Sequence, residues 1–226
     1  MSITVNSQLR RFRLSLALLT ERRVALFLIV DALFFYGGLI SALLNGNGSG
    51  TTFWYPMFLF PALCLGVPMM SDAVAVERRS GTLDLALTSP GVRMYFERRV
   101  GAVGVLVVLQ GWLAVLFARA FAPAFALSGP FLQVVIVTLF LAAVTLTWAL
   151  RLKTPGAVAF ATYATAAAFA PWLFSNPVFP PTEMNRAMEF PDYVLYFKHN
   201  FVLGAAALIF YFYALQRLSR PETIIQ

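Results

Sequence analysis

Residues 71–99 read SDAVAVERRSGTLDLALTSPGVRMYFERR, and the placement of this stretch decides the fold. It carries Glu77, Arg78, Arg79, Asp84, Arg93, Glu97, Arg98 and Arg99 between two long apolar runs. Charges at this density belong in water or against a soluble partner, because hydrocarbon solvates none of them. The flanking runs have the length that crosses a bilayer, where about 20 apolar residues in a helix span about 30 Å. The stretch therefore reads as a loop between two membrane spans.

Composition supports that reading. Of 226 residues, 60% are hydrophobic and only 12% are charged, whereas a soluble domain carries about a quarter of its residues charged. Phenylalanine alone occurs 22 times, and the mean hydropathy is +0.76. Helices are expected, because open strands would leave backbone groups unsatisfied in lipid. The two-residue alternation of a transmembrane barrel is absent. The single cysteine, Cys64, lies in an apolar run, which excludes an intramolecular disulfide and a cysteine-rich metal domain. The first apolar run is full length and ends in the polar residues 45–50 without a small-x-small cleavage site, so no cleavable signal peptide is expected.

Outward from the loop, six spans are predicted at about 24–44, 53–73, 100–117, 131–150, 157–174 and 197–215. Residues 1–23 place Leu9, Phe12, Leu16 and Leu19 at helical spacing, and Arg10, Arg11 and Arg13 can reach anionic headgroups. They read as an interfacial helix on the cytoplasmic surface. The first span contains Asp31, a carboxylate that must face protein, water or a partner group. The second carries Pro56, Pro61 and Pro68, each lacking a backbone donor and able to bend the helix. The third contains Gln110, read as an interhelical hydrogen-bonding group, and the fifth is rich in alanine, which permits close helix contact. Residues 175–196 hold Pro177, Pro180, Pro181 and Pro191 and are too polar to span; a short outer helix or re-entrant segment is expected there. Residues 216–226 form a tail.

The basic residues test this division. Cytoplasmic segments would hold Arg10, Arg11, Arg13, Arg22, Arg23, Arg78, Arg79, Arg93, Arg98, Arg99, Arg151, Lys153, Arg217 and Arg220, and outer segments only Arg119, Arg186 and Lys198. Fourteen against three is a strong positive-inside bias. It places both termini inside and explains the net charge of +7 as a topology signal, with no nucleic-acid partner expected. The expected fold is an all-α polytopic membrane protein: interfacial helix 1–23, a six-span domain 24–215 containing loop 71–99 and outer segment 175–196, and a cytoplasmic tail 216–226.

Within the loop, Gly81 allows a turn, Ser80 or Thr82 can cap a following helix, and Asp84 lies near that helix's favourable positive end. Leu83, Ala86 and Leu87 make a small apolar face, and Pro90 stops the helix. Residues 82–89 thus read as a short helix outside the membrane whose apolar face needs cover. The sequence Glu77-Arg78-Arg79-Ser80-Gly81-Thr82-Leu83-Asp84, followed by Leu85-Ala86-Leu87-Thr88-Ser89-Pro90, resembles the signature of ABC-2-type transporter permeases. The layout of the whole chain is similar to that family. The resemblance implies that 82–89 is a coupling helix docking into a cytosolic ABC ATPase. Glu77, Arg78, Arg79, Gly81, Thr82, Leu83, Asp84, Leu87 and Pro90 would form the coupling site. It further implies two copies of the permease, two copies of the ATPase, ATP and magnesium held on that partner, and a multi-pass location in a prokaryotic plasma or inner membrane.

The chain itself offers no reaction chemistry. It has no GxxxxGK[ST] phosphate loop, and the one histidine, His199, lacks the spacing of a metal site, so neither a catalytic role nor a resident cofactor is expected. Asp31, Phe35, Trp54 and Tyr55 are candidate translocation-path residues, although an interfacial belt is the first reading of the aromatics. Two functions remain open at this point. One is the membrane subunit of an ATP-driven exporter of an amphipathic or hydrophobic substrate; the other is a stand-alone proton- or ion-coupled carrier using Asp31.

Overall fold

The computed structural model describes residues 29, 32, 33, 37, 61–72, 92–121, 128–174 and 190–220. All secondary structure among them is helical. A π-helical turn, Pro61–Gly66, runs directly into helical residues 67–72, and the two together are α1. The remaining elements are α2 (Val92–Phe121), α3 (Ser128–Ala149), α4 (Pro155–Ala168), α5 (Ala170–Phe174) and α6 (Phe190–Leu218).

Three helices are long and apolar enough to cross a membrane: Met94–Leu116 in α2, Gly129–Ala149 in α3 and Phe197–Leu218 in α6. The chain is therefore an all-α, multi-helix protein with the character of a polytopic membrane protein, with three candidate spans among the described residues against six predicted. The first predicted span and the start of the second lie mostly outside the described residues. The fifth does not run through. Predicted as one helix over 157–174, it starts earlier, at Pro155, and is broken at Phe169 into α4 and α5.

Proline chemistry explains both ends of that helix. Thr154 caps α4 in an extended conformation, its hydroxyl accepting from the Ala157 amide at 3.3 Å, and Pro155 enters the first turn, where a missing amide costs nothing. The Phe169 amide donates to the carbonyls of both Thr165 and Ala166, tightening the last turn. Pro171 then cannot supply the amide that an unbroken helix would need, so the chain restarts as α5.

Loop 71–99 also has different limits from those predicted. Ser71 and Asp72 end α1, and Arg93, Glu97, Arg98 and Arg99 lie within the first turns of α2. At 30 residues, α2 is about 45 Å long at 1.5 Å per residue and exceeds the hydrocarbon thickness, so it carries these charges beyond the apolar layer without unwinding. In the same way α6 begins at Phe190 rather than 197 and takes in the last part of the predicted outer segment.

Helix α3 is the central post, with α1, α2, α4 and α6 all packed on it. Phe140, fully buried, meets Phe169 at 5.1 Å and Phe210 at 6.4 Å between ring centroids. Buried hydroxyls on this post spend their protons on the carbonyl one turn back. Thr138 donates to Val134 and Thr145 to Leu141, each at 2.7 Å. Such back-bonding satisfies a polar group where water is absent. Where α1 crosses α2, Gly66 permits a close approach: a β-carbon there would stand 3.1 Å from Val107 Cγ2.

The π-helical turn in α1 leaves one carbonyl that Pro68 cannot serve. In i to i+5 bonding the amide of residue 68 would serve the Leu63 carbonyl, and proline has no such hydrogen. The Tyr163 hydroxyl of α4 donates to that carbonyl at 2.7 Å instead. Within α1 the helix is of the π type over Pro61–Gly66, and one tyrosine of α4 ties that turn across the fold.

Candidate functional site

Contacts between helices fix their relative directions. Trp112 Nε1 donates to the Phe131 carbonyl at 3.2 Å, and a β-carbon on Gly104 would touch Thr138, so α2 and α3 are antiparallel. The Thr147 hydroxyl reaches the Phe210 carbonyl at 2.9 Å, and the Tyr211 hydroxyl donates to Glu97 Oε1. The start of α2 and the ends of α3 and α6 therefore share one end of the bundle. Arg93, Arg98, Arg99, Arg151, Lys153, Arg217 and Arg220 belong to that end. Arg119 and Lys198 belong to the other. Among the described residues, the basic side chains are thus divided between the two ends as the sequence led us to expect.

The basic end is built from arginine on aromatic rings. Arg99, only 5% exposed, lies with its guanidinium carbon 4.9 Å from the Tyr95 ring centroid. Arg151 sits 5.7 Å from the Trp148 ring and 4.7 Å from the Tyr213 ring. Arg217 approaches the same tyrosine ring at 5.9 Å. Arg151 donates through Nη2 to the Tyr213 hydroxyl, and Arg217 donates through Nε to the same oxygen at 3.3 Å. A guanidinium is planar and weakly hydrated, so it can cover a ring face at the boundary of an apolar layer and still offer donors to water. Trp148, anchored by its Nε1 donating to Thr165 Oγ1 at 3.0 Å, fixes one wall of this array. Thr165 in turn donates to the Ala161 carbonyl at 2.8 Å.

A second polar level lies toward the opposite end. The α2–α3 register places Gln110 level with Gln133, which is 2% exposed, and Asn200 on α6 is 6% exposed. Gln110 Oε1 and His199 Nδ1 are buried with no hydrogen-bond partner. An unsatisfied buried acceptor costs about 1–3 kcal/mol. The interhelical bond expected of Gln110 is therefore not made through its oxygen. Among the described residues, no group of three histidine, cysteine or acidic side chains is arranged to hold a metal ion.

The residues expected to couple to an ATPase, Glu77, Arg78, Arg79, Gly81, Thr82, Leu83, Asp84, Leu87 and Pro90, lie outside the described residues. So do Asp31, Phe35, Trp54 and Tyr55 of the expected translocation path, the interfacial helix 1–23, residues 175–189 and the end of the tail. What is described is the pair of helices on either side of residues 73–91: α1 and α2 run antiparallel, so the last described residues of α1 and the first of α2 point toward the basic end. Sequence reading missed the Glu97–Tyr211 bond and the paired arginines on Tyr213. Their residues were visible as charges and aromatics, but the partners lie 114 and 62 residues apart in the chain. No family model, curated protein or solved structure matches the chain.

Proposed function

We propose that this chain is the membrane-spanning subunit of an ATP-driven exporter of the ABC-2 type, moving an amphipathic or hydrophobic substrate outward. The reading is supported by the Glu77–Pro90 signature, which in sequence lies between α1 and α2, and by the basic residues gathered at the end of the bundle where α2 begins. In this reading the basic end is cytoplasmic, both termini lie there, and the chain crosses the membrane six times. Helix 82–89 seats its Leu83–Leu87 face in a cytosolic ATPase. Two permease copies face each other above two ATPase copies, with ATP and magnesium on the latter. Glu77, Arg78 and Arg79 then lie at the junction between membrane and motor.

Helix α2 gives the coupling a mechanical route. A helix that continues from the basic end through the membrane without a break can carry a displacement at its start along its length. The bond from Tyr211 to Glu97 ties the foot of that helix to α6. ATP binding on the partner would draw the coupling helices together, and the permease copies would rock to open outward. Asp31, Phe35, Trp54 and Tyr55 are the proposed path residues.

The test is affinity purification in mild detergent from the native host. An ATP-binding protein without membrane spans is expected to accompany the chain and to be lost in the Leu83→Asp, Leu87→Asp variant while that variant stays monodisperse. If no ATPase binds in any nucleotide state, the proposal fails. Loss of transport in Asp31→Asn, in the absence of any ATPase, would favour the proton-coupled carrier instead.

A further inference from the structure

The turn Pro61–Gly66 differs from the other described helices in its hydrogen bonding, which runs to the fifth residue on instead of the fourth. Pro68 gives that difference a consequence. In the π register the amide of residue 68 would serve the Leu63 carbonyl. In the α register it would serve Cys64, and the Val67 amide would serve Leu63. Residue 68 has no amide hydrogen in either case. The two registers therefore differ in which carbonyl needs a donor from outside the helix. The Tyr163 hydroxyl donates to Leu63, the carbonyl that needs it in the π form, at 2.7 Å.

The surroundings of the turn are fixed on two sides. After it, Val67, Met69 and Met70 are buried, and Gly66 stands close to Val107 of α2. The donor is held as well: α4 buries Val158 and Thr162, and the bond from Trp148 to Thr165 ties it to α3. On the turn itself Leu63 is half-buried and Cys64 exposed. A change of register would therefore leave the chain after Gly66 on α2 and turn the chain before Pro61. An α-helix advances by about 100° and 1.5 Å per residue, so taking one residue out of a turn rotates the preceding segment by about that angle.

We propose that Pro61–Gly66 is a two-register joint with the Tyr163 hydroxyl as its catch: while the bond to Leu63 is made the turn is π-helical, and when it is released the turn passes to the α register and rotates the chain before Pro61. In the exporter reading that part of the chain includes the candidate path residues Trp54 and Tyr55, which the joint would re-aim. The joint itself rests on α1 and α4 and needs no ATPase partner, so it stands or falls separately from that reading.

Distances between pairs of spin labels, measured by pulsed electron resonance on the full chain in nanodiscs, test the joint. In a Cys64→Ala background, a label at Met57→Cys or, separately, at Phe58→Cys is paired with one at the exposed Ser219→Cys. A third pair, Leu113→Cys with Ser219→Cys, reports on the bundle alone. Tyr163→Phe keeps the ring and removes only the proton donor. It is expected to shift the distances from 57 and 58 by unequal amounts, up to about 8 Å, since a side chain about 5 Å from the axis travels that far in a turn of about 100°. The distance from 113 is expected to stay. The same distances from 57 and 58 with and without the Tyr163 hydroxyl overturn the joint. Equal shifts at both positions overturn it in favour of a simple bend. A shift from 113 as large as theirs overturns it in favour of a general loosening of the bundle.

Discussion

Helices α3 and α6 lie against each other and both can cross a membrane, yet they face different surroundings. Within their apolar windows, 61% of α3 is buried and only 22% of α6. The post is enclosed over most of its length: Gln133, Thr138, Thr145 and Thr147 are all buried, and the three hydroxyls are bonded to backbone carbonyls. The outer helix presents Phe197, Phe201, Leu208, Ile209 and Phe212, each more than half exposed. In water such a face would demand a partner. In lipid it demands nothing, because acyl chains are as apolar as the side chains, and helices associate through packing and hydrogen bonds instead. The contrast shows that apolarity alone does not distinguish the interior of this protein from its perimeter. Small hydroxyl residues among the apolar ones mark the interior, and large aromatics at helical spacing mark the rim.

Substitutions can break that contrast, and the largest effect is expected at its centre. Phe140→Ala removes a ring held between Phe169 and Phe210. Its cost is expected to be about 3 kcal/mol, the lower end of the range for soluble cores, since lipid removes much of the water-transfer contribution. Phe201→Ala on the rim is expected to cost no more than about 0.5 kcal/mol. Reversible unfolding of the reconstituted protein in denaturing detergent measures both, and equal costs would erase the distinction.

Tyr211→Phe comes next. It removes the donor to Glu97, the bond that ties the foot of α2 to α6, and is expected to cost about 1.5 kcal/mol. The same unfolding assay reads it. Because Glu97 is only half-buried, water can replace part of the lost bond, and a cost near zero would mean that the two helices are held by packing alone.

The smallest effect sharpens the comparison within α3 itself. Thr147 stands 2.9 Å from both the Ala143 and the Phe210 carbonyls, so its one proton can bridge to α6, whereas Thr145 serves only its own helix. Thr147→Val is expected to cost about 0.6 kcal/mol, the average for an interhelical bond in a membrane, and Thr145→Val less. The order of the two costs is the informative outcome.

The helical character and the division of charge were legible in the sequence because both follow from the bilayer as solvent. Apolar length and loop arginines are local quantities. The division at Phe169 was legible too, in Pro171, but the alanine-rich run around it reads as continuous helix when judged by hydropathy alone. The charges of 92–99 were assigned to a loop because they interrupt an apolar run. A helix can carry charge past the membrane surface without unwinding, and apolarity does not report where a helix ends. The arginine pair on Tyr213 was not legible, since it depends on α3 and α6 lying side by side. The coupling residues 77–90 were named from a motif, and the structure describes only the helices on either side of them.

All of this depends on the basic end facing the cytoplasm while α2, α3 and α6 cross the membrane. Single cysteines introduced in a Cys64→Ser background, at the exposed Ser219 of the basic end and at Ser49 in the predicted outer loop, test that directly. In intact cells a membrane-impermeant maleimide is expected to label Ser49→Cys alone, with Ser219→Cys labelled only after the cells are opened. Labelling of Ser219→Cys in intact cells would contradict the account.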